Sequence, residues 1–187
     1  TLLASSAASD VYKRQVKGEA GSPYAIKDYY DIDPDLAEDP STRMQEFEAL
    51  VTRTHEVGLK VVLDFVPNHV ARQYHSDIAP EGVDDLGAHD NKEMHFSPSN
   101  NFYYIPRQAF TPQFYIGEGE DRYFEYPAKA TGNDCFGAFP GEYDWYETVK
   151  LNYGVDYTGG GRCHFDPIPD TWYKICLLYT SDAADEA

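Results

Sequence analysis

Residues 59–69 read Leu59-Lys60-Val61-Val62-Leu63-Asp64-Phe65-Val66-Pro67-Asn68-His69. The first eight are mostly apolar and rich in β-branched side chains, the pattern of a strand covered on both faces in a parallel sheet. Immediately upstream, Met44, Phe47, Leu50, Val51 and Val57 recur at mostly three- and four-residue spacing between charged residues. That spacing predicts a helix over 41–58 with one apolar face. Asp39-Pro40-Ser41 supplies its start signals and Gly58 its stop. Helix, glycine and buried strand make the second half of a βαβ unit, and Tyr24-Ala25-Ile26-Lys27-Asp28-Tyr29-Tyr30-Asp31-Ile32 supplies the preceding strand end and loop.

Downstream of His69 the character changes. Residues 70–161 are rich in Tyr, Phe, Gly, Pro, Asn and Asp and show no sustained helical period, which predicts irregular structure with short strands. So long an irregular stretch inside a domain is usually functional. Its aromatic content argues against disorder, so it is expected to pack on its own tyrosines. Pro167-Ile168-Pro169-Asp170-Thr171-Trp172-Tyr173-Lys174-Ile175 then reads as a loop and the first turn of a further helix.

Where strands alternate with helices in a barrel, the active site gathers at the ends of the strands, so Asp64, Asn68 and His69 are the first candidates for function. The motif Asp64-Phe65-Val66-Pro67-Asn68-His69 resembles the first conserved segment of the α-amylase family of glycoside hydrolases. In that family the strand-end Asp orders the site, the Asn often ligates calcium and the His binds the sugar beside the cleaved bond. Tyr24, followed by Asp28-Tyr29 and Asp31-Ile32-Asp33-Pro34, resembles the family's second-strand segment, whose aromatic stacks on the same sugar. A tyrosine suits that role because it offers an apolar face and a hydroxyl rim. The family's frequent Asp after this Tyr is Ala25 here. A long insertion after the third strand is also the family's habit, and Val149-Lys150-Leu151-Asn152-Tyr153 resembles the segment that marks its return to the barrel.

The resemblance implies an α/β fold: part of a (β/α)8 TIM barrel at 16–69, an irregular, short-stranded domain B inserted after the third strand at 70–161, and the start of the next barrel helix at 162–175. It implies an α-glucan or malto-oligosaccharide as substrate, with Tyr24, Asp64 and His69 in the sugar site and Asn68 as a candidate calcium ligand. Retaining cleavage of a glycosidic bond needs two carboxylates about 5 Å apart. In the family these follow the fourth and fifth strands, beyond Ile175, so no catalytic residue is assigned and the chain itself is expected to be inactive. Its incomplete barrel would leave apolar strand edges exposed and make it poorly soluble. The long insertion and the residue after Tyr24 favour an α-amylase over other family activities. The rival from another class is a non-catalytic relative that uses the same fold to bind glucan or a partner.

The two ends are expected to be foreign. Residues 5–15 can be encoded by one strand of a common transposase-type library adapter, and residues 176–186 by its complementary strand read one base out of frame. On that reading 1–15 and 176–187 carry no information about the fold. The whole chain has 15 basic and 32 acidic residues, a net charge of −17, and the part between those ends keeps 13 and 28, or −15. So acidic a surface repels phosphate backbones and makes nucleic acid an unsuitable partner. No run of about 18 apolar residues is present to span a bilayer. Cys135 and Cys163 lack CxxC spacing and read as buried free thiols. His75, His89 and His95 read as surface residues, and Lys150 as solvated or touching substrate. Trp172 reads as an anchor for its helix, and Trp145 as either core or cleft lining.

Overall fold

The computed structural model describes residues 22–113, 123–158, 164–165 and 167–180. The expected first helix forms as α1, Arg43–Glu56. Asp39 caps the 3-10 turn Pro40–Thr42 that leads into it, accepting a bond from the Ser41 amide at 2.9 Å. At its far end Gly58, with φ +76°, donates to the His55 carbonyl at 2.8 Å while Leu59 donates to Thr54 at 3.1 Å. That pair of bonds closes the helix through a left-handed residue, the position glycine fills without strain. The apolar stripe of α1 is only half-buried: Met44, Phe47, Leu50 and Val51 all keep partial exposure, and Val57 is exposed.

The strand expected over 59–66 is not there. Those residues are in no ladder; Leu59, Val62, Leu63 and Phe65 are exposed, Val62 to 78%. A buried parallel strand is defined by neighbours on both edges, and among the described residues none pairs with this run. It is touched at Val66, whose carbonyl accepts from Tyr29 Oη at 2.6 Å, and at Phe65, whose ring lies 6.0 Å from that of Tyr29. Residues 24–32 form turns and bends rather than a strand end, so the βαβ unit does not close. Asp31 instead ion-pairs with Arg43 at the start of α1, and Asp33 caps the turn Pro34–Leu36.

Pairing begins at His69 and is antiparallel. Strand β1, His69–Ala71, pairs with β4, Thr148–Lys150, in the register His69↔Lys150, Val70↔Val149 and Ala71↔Thr148. Strand β2, Tyr104–Ile105, pairs with β3, Ala128–Lys129, and β5, Val155–Asp156, with β6, His164–Phe165. The other side of β1 is met by the turn region upstream, through Ala71 N to Ile26 O at 2.7 Å. The main core lies against this ladder: Val70, Leu86, Phe102, Tyr104, Val149, Leu151 and Ile175. A second cluster joins Ile105, Phe110, Tyr123, Ala128 and Ala138. Each fully buried aliphatic side chain here stabilises the fold by roughly 1.5–3 kcal/mol.

With so little ladder, side chains satisfy the buried backbone. Asn100, Asn101 and Asn152 are all buried and each bonds main-chain groups: Asn100 both accepts from and donates to Asn91, Asn101 accepts from Gly87 N, and Asn152 donates to the Ser97 and Asn100 carbonyls. Such amides stand where strands would otherwise complete the hydrogen bonding. Helix α2, Pro169–Thr180, starts with a proline and docks Ile175 into the main core. It continues through residues 176–180, into the tail expected to be foreign. Among the described residues no helix is long and apolar enough to cross a membrane.

Candidate functional site

His69 is the first residue of β1 and is 4% exposed. Both ring nitrogens are held. Nε2 lies 3.0 Å from the Tyr24 carbonyl, and Nδ1 lies 3.0 Å from the Asn68 side-chain nitrogen. A carbonyl can only accept and an amide nitrogen only donate, so the proton sits on Nε2 and Nδ1 is the acceptor. Burial lowers the imidazole's pKa, which keeps it neutral in the same sense. The Asn68 nitrogen also donates to the Gly132 carbonyl at 2.8 Å. The turn carrying Gly132 passes so close that a Cβ there would lie 2.7 Å from Thr148 Oγ1 and 2.8 Å from His69 Cγ. Only glycine allows that approach.

The exposed side of this arrangement is aromatic. The Trp145 ring lies 5.3 Å from the His69 ring at 59°, and the residue remains 48% exposed. Tyr24, whose carbonyl meets His69, is 46% exposed. Of the candidates read from the sequence, the structure thus brings together Tyr24, Asn68 and His69. It does not bring Asp64 to them: Asp64 is exposed in the unpaired run, with no hydrogen bond or ion pair among the described residues. Ala25 leaves no carboxylate beside Tyr24, and Asp28 is buried elsewhere, accepting from the Tyr30 amide at 2.8 Å. Burial raises the Asp28 pKa despite the bonds it accepts.

Several residues carry roles that their sequence context hides. Arg72, just past β1, is fully buried; its guanidinium bonds Glu125 at 2.6 Å, the Lys129 carbonyl and the Tyr146 carbonyl, and covers the Phe110 ring at 3.7 Å. Burial alone would raise the Glu125 carboxyl, but Arg72 and Lys129 hold it below its usual value. These partners lie more than 50 residues apart in irregular sequence, where no periodicity can announce them. Lys150 sits opposite His69 in the ladder, but its Nζ bonds Asp134 at 2.5 Å and is not solvated. His95 is part-buried rather than on the surface, with Nδ1 on the Tyr104 carbonyl at 2.8 Å and its ring against Phe136. His75 and His89 are exposed, paired with Asp85 and Asp84. Trp172 packs on Tyr153 at 4.7 Å. Cys135 is a half-buried free thiol, and Cys163 lies outside the described residues.

The calcium site that the resemblance implies has Asn68 as its candidate ligand. Both side-chain N–H groups of Asn68 are committed, leaving its amide oxygen, and no group of three or more His, Cys, Asp or Glu converges among the described residues. Calcium takes six to eight oxygens.

Comparison with known proteins gives the family. The chain is 44% identical over 46 residues to Maltase A1 of Drosophila melanogaster, covering 25% of this chain and 7% of that protein. It is 39% identical over 51 residues to Maltase 1 of Drosophila virilis and, equally, to the amino acid transporter heavy chain SLC3A1 of Rattus norvegicus, in each case covering 27% of this chain and 7% of the relative. The chain therefore spans only a small part of the relatives it matches. No solved structure matches it with significance. The family model for the catalytic domain of α-amylase matches residues 9–112, more than half of the chain, so the chain belongs to the α-amylase family of glycoside hydrolases, whose catalytic domain is a (β/α)8 barrel.

Proposed function

We propose that this chain is the sugar-binding front part of an α-glucan-active retaining glycosidase, an α-amylase acting on α-1,4 bonds of starch-like or malto-oligosaccharide substrates. In this reading 16–69 belong to the barrel, 70–161 form its inserted domain B, and the catalytic carboxylates follow Ile175. The observation that carries it is the environment of His69. A neutral imidazole with its proton on Nε2 is buried at the start of β1, its ring fixed from both sides and flanked by half-exposed Tyr24 and Trp145. Pre-set donors of that kind recognise sugar hydroxyls, with aromatic faces beside them for the pyranose ring.

His69 Nε2–H then donates to a sugar hydroxyl in place of the Tyr24 carbonyl, and Tyr24 stacks on the same unit. Asp64 joins the site when the run at 59–66 finds its strand neighbours. The Asn68 amide oxygen is the atom that would contribute to a calcium site, with the remaining oxygens supplied from outside the set described above.

A second reading has one observation in its favour. The rat relative is named for amino acid transport and matches as well as one of the maltases does. A family member kept as a partner chain would show the same short match. Two measurements separate these readings. The chain should bind maltohexaose in preference to cellohexaose without releasing reducing sugar. The longer gene should encode an Asp after the fourth strand and a Glu after the fifth; their absence there would leave the binding-only relative.

A further inference from the structure

The site holds one large side chain whose backbone is fixed on both sides and whose ring is left out. The amide of Trp145 donates to Asn133 Oδ1 at 3.1 Å, and its carbonyl accepts from Thr148 N at 2.9 Å and Thr148 Oγ1 at 2.7 Å. The next carbonyl, of Tyr146, accepts from the buried Arg72 guanidinium, which is itself locked by Glu125. The main chain at 145–146 is therefore anchored to the buried interior of the fold. Yet Trp145 is 48% exposed, with its ring against that of His69. Ordinary core packing would cover a ring of this size, because burying it is worth far more than leaving it wet. A rigid backbone presenting an uncovered indole beside a fixed donor is the economy of a binding platform, since little conformational freedom is lost when a ligand lands on it.

We propose that Trp145 is a sugar-stacking and specificity-determining residue, its indole taking the apolar face of a glucosyl unit adjacent to the one that His69 contacts, with Arg72 as the positioning residue that sets its height. The proposal rests on the α-glucan reading above and adds to it a residue outside the Tyr24, Asp64 and His69 set. Arg72 touches no ligand; it acts through the Tyr146 carbonyl.

The chain has two tryptophans, so W172F leaves Trp145 as the sole indole reporter. In that background, maltohexaose should shield Trp145 from acrylamide quenching. Saturation-transfer NMR of maltohexaose with the whole chain should show binding that falls about tenfold in W145A and about two- to threefold in W145F, which keeps a smaller ring, while W172F is unchanged. R72K keeps the charge but loses the planar fork, and should weaken maltohexaose while leaving the pH dependence of binding unaltered. Unchanged quenching together with full affinity in W145A, but weakened binding in Y24A or H69A, overturns the platform and leaves the α-glucan site standing. If the unaltered chain gives no maltohexaose signal, the α-glucan site falls and the platform with it.

Discussion

Residues 59–66 and residues 100–104 invert the ordinary rule about what is inside. The first stretch is mostly apolar and leaves Val62 at 78% exposure, while the second starts with two asparagines that are at most 2% exposed. The difference lies in the backbone. Asn100 and Asn101 side chains bond the main chain at Asn91 and Gly87, Asp90 accepts from the amides of Asn101 and Phe102, and the segment then enters β2. Leu59 to Val66 are mostly apolar but, among the described residues, have no partner strand for their amides and carbonyls. Burying that run alone would strand its backbone polar groups, each at a cost of about 1–3 kcal/mol. Hydropathy measures what a segment gains from cover; whether it is covered depends on who satisfies its backbone.

The sharpest break of this comparison is Glu125→Ala. It strands the Arg72 and Lys129 charges inside the second cluster, and should cost about 3–5 kcal/mol, measured by urea denaturation. Asn152→Ala and Gly132→Ala should each cost about 1–3 kcal/mol, the first by orphaning the Ser97 and Asn100 carbonyls and the second by forcing the turn off Thr148 and His69. Only the second should also weaken maltohexaose binding. A smaller effect concerns pH. Because burial lowers the folded-state pKa of His69 below its ordinary 6.5, the unfolded chain takes up a proton that the folded chain refuses, so stability falls as pH drops below about 6.5. His69→Gln should flatten that slope in urea midpoints taken between pH 7 and pH 5. Smallest of all, Leu63→Ser should change stability by no more than about 0.5 kcal/mol, because the side chain it replaces is already exposed. A loss of several kcal/mol there would show the run to be packed in solution.

The local signals were the most legible. The spacing of Met44, Phe47, Leu50 and Val51, the Asp39-Pro40-Ser41 start and Gly58 were enough to place α1, because a helix satisfies its own backbone and its caps are written in adjacent residues. The strand expected over 59–66 does not form in this chain, because an apolar run states only a capacity for burial, while a ladder needs residues far away. The tyrosine-rich stretch was legible as irregular, yet its Arg72, Glu125 and Lys129 network was not, since those residues meet only after the chain has folded back more than 50 positions. Around the candidate site, His69 and Tyr24 stood out through the family motif. Trp145 reads from the sequence equally as core or cleft lining, and Gly132 gives no signal, because neither belongs to a motif and each meets His69 only through one close approach.

The pairing of β1 with β4 has a consequence for how such a chain can change over time. His69 faces Lys150, so the polypeptide leaves and re-enters the same place, through two adjacent strand ends. Lengthening a tethered excursion of this kind costs only about 0.6 kcal/mol for each doubling. That low cost holds only for the exposed turns between the two strands: Leu86, Phe102 and Tyr104 share a core with β1, β4 and Ile175, so new length and new specificity can enter at those turns while the packed positions stay fixed.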